Sequence, residues 1–175
     1  HHIISYELRI TENTRAHVEN IIIRGNNKTK EYVIKREIPI EEGDVFSRDK
    51  IISAYRNLMN LQYFANVIPE PQQGSEKDLV DVVFSVEEQS TTSLQFGMTF
   101  SQSNDPNSLP ISLFTKWENS NLFGEGRSIS GSLSLSTTEQ ALDFTYSQNW
   151  LGNIPLTFSS SLSISHTHPS SDYKY

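Results

Sequence analysis

The sequence predicts an α+β chain built from two unlike parts. Residues 16–89 read β-α-α-β-β, a compact three-stranded mixed sheet with two helices on one face, and residues 90–175 read as an antiparallel β-meander. Three observations predict this. Apolar residues recur at helical spacing over about 48–62, where Ile51, Tyr55 and Leu58 form a stripe flanked by Ile52, Met59 and Leu61. After Glu88 the composition shifts toward Ser, Thr, Phe and Leu, and the apolar period drops to two. Turn signals then divide that second part about every dozen residues.

At the front of the chain, Ile4, Tyr6, Leu8 and Ile10 alternate with Ser5, Glu7, Arg9 and Thr11, which predicts a strand over 3–11. Its end, Leu8-Arg9-Ile10-Thr11-Glu12, echoes Phe84-Ser85-Val86-Glu87-Glu88. Residues 1–15 are therefore expected to be the last strand of a preceding copy of the same module, in a tandem array. The start shows no signal-peptide pattern, and the chain reads as a piece of something larger. A second strand runs from Val18 to Arg24 and stops at Gly25-Asn26-Asn27. Thr29 is expected to cap a short helix with Glu31 in its first turn and Ile34 and Ile38 on one face, and Pro39 ends that helix early. Glu41-Glu42-Gly43-Asp44 is a turn, and Ser47 caps the longer helix. Ala65–Gln72 is extended, Gln73-Gly74-Ser75-Glu76 is a hairpin loop, and Leu79–Glu87 is a strand. Its Val80, Val82, Phe84 and Val86 share one face, with Leu79 and Val83 on the other.

The second part is predicted to hold five strands, at 93–102, 110–119, 127–137, 140–149 and 154–166. Leu94, Phe96, Met98 and Phe100 alternate with Ser93, Gln95, Gly97 and Thr99. Ile129, Leu133 and Leu135 alternate with serines 128, 130, 132 and 134; Leu142, Phe144 and Tyr146 with Asp143, Thr145 and Ser147. Ile154, Leu156, Phe158, Leu162 and Ile164 alternate with Pro155, Thr157 and further serines. Tight turns are expected at Gly124-Glu125-Gly126, Thr138-Glu139 and Gly152-Asn153, and a longer loop at Asn104-Asp105-Pro106-Asn107. Strands of roughly 9–11 residues, apolar on one side and polar on the other, can cross a bilayer within a closed barrel. No apolar run approaches the roughly 20 residues of a membrane helix, so membrane contact must come from β-structure. Five strands cannot close a lumen.

A net charge of −7 without a basic stripe argues against nucleic acid as a partner. With no cysteine there is neither a disulfide framework nor thiol chemistry. The sequence offers no nucleophile–base pair, Gly-rich phosphate loop or catalytic dyad, so an enzyme is not expected, and no cofactor is implied. His166-x-His168 has metal-ligand spacing but no third ligand nearby, which reads as a polar strand end. Asp78, Asp81, Glu87 and Glu88 lack a glycine-spaced calcium loop and read as solvated strand ends. Trp117 and Trp150 near strand ends suit a membrane-interface girdle, and a soluble core would use them equally.

Residues 18–88 resemble a POTRA domain. The match is carried by Ile23-Arg24-Gly25-Asn26, Lys28-Thr29-Lys30, Ile34-Lys35-Arg36-Glu37 and Glu42-Gly43-Asp44. It continues with Leu58 and Leu61 before Tyr63-Phe64, and with Val82-Val83-Phe84-Ser85-Val86-Glu87-Glu88. The strands behind it resemble the start of the transmembrane β-barrel in BamA-type outer-membrane assembly factors. There Trp117-Glu118-Asn119-Ser120-Asn121-Leu122-Phe123-Gly124-Glu125-Gly126 is similar to that family's turn after the second barrel strand. On this resemblance the domains are 1–15 as the preceding repeat's last strand, 16–89 as the POTRA domain, and 90–175 as the barrel's N-terminal strands.

The resemblance implies folding and insertion of β-barrel proteins into a cell outer membrane, with the POTRA domain in the periplasm. The implied partners are unfolded outer-membrane proteins, accessory lipoproteins and the lipid bilayer. The first barrel strand would pair with the last to form a seam, and a weak seam could open to accept a client strand through its unpaired backbone groups. Leu94, Gln95, Phe96, Gly97, Met98, Thr99 and Phe100 are the candidate seam residues. Gly97 either weakens pairing there or leaves room for a neighbouring side chain. Ala65–Gln72 is a second edge, on which Pro69 and Pro71 remove donors; protection against aggregation is the favoured reading over client docking. Glu42 matches an acidic position that the resemblance sets near a partner lipoprotein, and it reads equally well as an ordinary turn carboxylate. Two rivals remain: a two-partner secretion transporter of the same superfamily, and a soluble scaffold with a POTRA-like module and a β-sandwich. An isolated sheet with open edges and an apolar face is expected to self-associate in water.

Overall fold

The computed structural model describes residues 15–100, 111–136 and 139–167. The expected strand over 3–11, the loop at 104–107, Thr138 and His168 lie outside the described residues.

The first unit contains β1 (His17–Arg24), α1 (Glu31–Lys35), α2 (Arg48–Asn60), β2 (Phe64–Gln73) and β3 (Leu79–Glu88). Its sheet has the order β1-β3-β2. β1 runs parallel to β3, with Ile23 opposite Phe84, and β2 is antiparallel to β3, with Val67 opposite Val86. The central strand is apolar on both faces, and Val82, Val83 and Phe84 are each fully buried. Val82 and Phe84 join Val18, Val33, Ile34, Ala54, Leu58, Phe64 and Val67 in one core between the sheet and the helices.

Three local details differ from expectation. Lys30, not Thr29, occupies the N-cap of α1 and makes no side-chain cap bond; the buried Thr29 hydroxyl is engaged elsewhere. α1 stops at Lys35, four residues before Pro39, and the chain continues through Ile38 in i→i+3 turns. On α2 the buried stripe is Ile51, Ala54 and Leu58, while Tyr55 stays exposed. The side of the helix turned to the core is centred on Ala54, and Tyr55 lies on its flank. Ser47 does cap α2, accepting from the Lys50 N–H at 3.5 Å.

The second unit contains β4 (Thr92–Phe100), β5 (Ile111–Asn119), β6 (Arg127–Leu135), β7 (Glu139–Gln148) and β8 (Phe158–Thr167). A 3-10 turn, Leu122–Gly124, joins β5 to β6. All four pairings are antiparallel between sequence neighbours. The last strand starts later than the alternation predicts. Leu151 and Ile154 bridge one another across Gly152-Asn153, and Pro155 has no N–H to offer a ladder, so pairing begins at Phe158.

The register gathers the apolar residues on one face. Leu94 lies opposite Trp117, Met98 opposite Leu113 and Leu135 beyond it, and Leu133 opposite Leu142 and Ile164 beyond that. This face is bare: Phe96 is 83% exposed, Phe100 68% and Leu162 61%. No described element lies over it. The other face carries the serines, with Ser132 and Ser163 both donating to the Asp143 carboxylate from flanking strands. A soluble β-sandwich would bury the apolar face against a second sheet; here the hydrogen bonds to the first unit come from the turns after β5 and β7 and not from that face.

Candidate functional site: the strand edge and its junction with the module

β4 is an edge. It pairs with β5 along its whole length, and its other side has no partner among the described residues. All seven expected seam residues, Leu94 through Phe100, lie on it. Leu94, Phe96, Met98 and Phe100 stand on the apolar face and Gln95, Gly97 and Thr99 on the polar one. Gly97 is opposite Phe114, the one large apolar residue on the polar face of β5. A Cβ on Gly97 would sit 2.5 Å from Phe114 Cε1 and 2.6 Å from Cζ. Gly97 thus makes room for a ring that shields the edge backbone, an arrangement that supports a strand a bare glycine would weaken.

The root of β4 is joined to the module by contacts that sequence reasoning missed. Glu88, the last residue of β3, accepts from three successive backbone N–H groups: Asn27 at 3.0 Å, Lys28 at 2.9 Å and Thr29 at 2.6 Å. Such a run of amides forms a concave anion site. Burial pushes the Glu88 carboxyl up, but the bonds from Thr29, Lys28 and Asn27 outweigh it and hold the group below its ordinary value. Glu88 is therefore a structural anion and not the solvated strand end expected of it.

Thr29, 3% exposed, accepts through Oγ1 from Asn121 Nδ2 at 2.9 Å, and Asn121 Oδ1 accepts from the Gly126 N–H at 2.8 Å. The Lys30 N–H donates to the Gly124 carbonyl at 2.8 Å. Gly124 has φ +75 and lies against the Lys28 carbonyl, where a side chain has no space. The turn after β5 is thereby seated on the N-terminal end of α1.

The turn after β7 makes a second contact. Trp150 Nε1 donates to Glu37 Oε1 at 2.8 Å, and the Arg36 guanidinium stacks 5.3 Å from the Trp150 ring centre and 5.9 Å from that of Tyr32. Trp150 is thus a junction residue and not part of a lipid-facing girdle; Trp117, on the apolar face, keeps that reading. Beside the first contact lies a cleft of about 380 Å³ lined by Lys28, Tyr63, Ser90, Thr92, Asn119 and Phe123. The signals were present in Asn121-x-x-Gly124-x-Gly126 and Lys28-Thr29-Lys30, but nothing local links residues 92 positions apart.

Glu42 lies away from both contacts, exposed in the turn before α2. Its neighbour Asp44 pairs with Lys50 at 2.6 Å, and that bond holds the Asp44 carboxyl below its ordinary value. Ala65–Gln72 lies within β2, which among the described residues pairs with β3 alone, so it is an edge there as expected. Among the described residues no group of three or more His, Cys, Asp or Glu could hold a metal. No described helix is long and apolar enough to cross a membrane, which says nothing of strands.

Residues 16–89 match the POTRA family model, described as a surface antigen variable number repeat. A Treponema pallidum protein named "Putative outer membrane protein assembly factor" is 42% identical over 93% of the chain, which spans 20% of that protein. The outer membrane protein assembly factor BamA of Neisseria meningitidis is 30% identical over 81% of the chain, which spans 18% of it. The chain thus spans about a fifth of the length of these curated relatives. Among solved structures, BamA from Haemophilus ducreyi lacking POTRA domains 1–3 superposes over 91% of the chain with a TM-score of 0.79 at 19% identity, the chain covering 29% of it. CdiB from Escherichia coli superposes over 86% with a TM-score of 0.59 at 15% identity, the chain covering 28% of it. These last two likenesses concern the fold. Together the comparisons match residues 16–89 to the POTRA family and make the whole chain similar to the POTRA-plus-first-barrel-strands portion of BamA-type outer-membrane assembly factors.

Proposed function

We propose that the longer protein to which this segment belongs assembles β-barrel proteins into a cell outer membrane. The POTRA domain stands in the periplasm, and the strands over 92–167 face lipid with their apolar side. The open edge of β4 receives a client strand by backbone pairing and templates its insertion. The observation that carries this reading is a sheet whose described strands turn a bare apolar face one way and a serine-lined face the other. The 16–89 and 90–175 domain boundaries, and a preceding repeat over 1–15, belong to the same proposal, as does an accessory lipoprotein contact at Glu42.

Relatives named as assembly factors support this reading over export of one client through a two-partner secretion transporter. The bare apolar face counts against a soluble scaffold. The test is site-specific cross-linking in proteoliposomes with an unfolded barrel client. Cysteines at Gln95 and Thr99 are expected to capture the client's terminal strand, and cysteines at Ser161 and Ser163 are not. Equal capture at all four positions, or none, removes the edge from the mechanism.

A further inference from the structure

We propose that Glu88, Thr29 and Asn121 are positioning residues that root β4, holding its open edge at one attitude to the POTRA domain. The proposal rests on the reading that this edge receives client strands, and it supplies what a templating edge needs: a fixed orientation toward the domain beside it.

The argument starts from chain connectivity. Only residues 89–91 separate the end of β3 from the start of β4. That linker is tied down at both ends, since Gln89 N–H donates to the Tyr63 carbonyl at 3.0 Å and the Ser120 N–H to the Thr91 carbonyl at 2.9 Å. One linker alone still allows the β4–β5 pair to rotate about it. A second attachment on the neighbouring strand removes that freedom, and Asn121, two residues after β5, supplies its side-chain bond beside the Lys30–Gly124 backbone bond.

The relay is made of side chains whose partners are used up. Glu88 fixes the backbone of 27–29, which aims the Thr29 hydroxyl; that hydroxyl receives the Asn121 amide; the Asn121 carbonyl closes its own turn through Gly126. Apart from Tyr63, Thr29 and Asn121 are the buried residues with polar side chains among the described residues. The turn they hold is one its sequence does not favour, because Phe123 adopts φ +56, a left-handed conformation that a bulky residue occupies only when its surroundings impose it. The far end of β4 has no such tie among the described residues, and Met98 and Phe100 stand 61% and 68% exposed.

The experiment is amide hydrogen exchange on the full-length protein in lipid nanodiscs, without client. Thr29→Val keeps the shape and removes the hydroxyl; Asn121→Ala breaks the same bond from the barrel side; Thr29→Ser restores it. Loss of a buried hydrogen bond is expected to speed exchange at 92–95 and 120–126 about tenfold in the first two variants and to leave Thr29→Ser at the wild-type rate. Amides around Val33, Leu58 and Phe84 keep their rates, and the double variant exchanges no faster than Asn121→Ala, which also frees the Gly126 N–H. Unchanged exchange at 92–95 overturns the proposal. So does an equal acceleration through the domain core, which marks general destabilisation. The result stands whether or not β4 accepts client strands, which the cross-linking decides separately.

Discussion

β3 and β8 are both strands of ten residues, and they meet opposite fates. β3 is buried through its middle on both faces, while every residue of β8 is exposed. Both follow the physics of strands. What differs is where the apolar surface finds a low-dielectric neighbour. The POTRA domain brings its own, in two helices that close over Phe84 and Val82. Among the described residues the strands of the second unit bring none, and under the proposed function their apolar face meets lipid instead.

The largest effect that would sharpen this contrast lies in the domain core. Phe84→Ala is expected to cost about 3–5 kcal/mol of domain stability, through lost transfer energy and an unfilled cavity, read from urea unfolding of the full chain. On the sheet, burial in protein is absent, and charge against lipid takes its place. Leu162→Arg is expected to cost about 2–4 kcal/mol of barrel folding into bilayers, whereas Ser163→Arg on the other face costs far less. Equal costs for the two would break the contrast, since a water-exposed sheet does not distinguish them.

A smaller effect probes the edge. Gly97→Ala drives a methyl group against the far end of the exposed Phe114 ring, which must turn aside, and is expected to cost about 0.5–1.5 kcal/mol. Adding Phe114→Ala should recover much of that loss, so a thermodynamic cycle with no coupling between the two would rule out the close approach as the reason for glycine.

The smallest effect concerns pH. Glu88 is held below its reference value of 4.5, so its contribution is fully present above that value and is lost as pH falls through the lower folded value. Domain stability should therefore decline on acidification below about pH 4.5 more steeply in the wild type than in Glu88→Gln. Parallel profiles would show that the amide site at 27–29 does not stabilise the anion.

Much of the fold could be read before any coordinates. The two periodicities separate the units, and alternation alone sorts Leu94, Phe96, Leu133, Phe144 and Leu162 onto one face, as the register bears out. Errors fell where a local rule met a distant neighbour. Thr29 carries the usual signal of a helix cap, yet its hydroxyl serves Asn121. Tyr55 has the right spacing for the core, yet Ala54 takes the buried position and Tyr55 lies on the flank. Trp150 has the composition of a membrane girdle, yet its indole donates to Glu37.

The order of residues alone determined that this chain alternates, where it turns and which side of each strand is greasy, because those depend on spacing along the backbone. Only the folded arrangement decided how the two units meet. Glu88, Thr29 and Asn121 carry no periodicity among themselves, and each has an ordinary local role open to it. Their joint use arises because β3 ends where the β5–β6 turn comes down on α1, a coincidence in space between segments far apart in the chain.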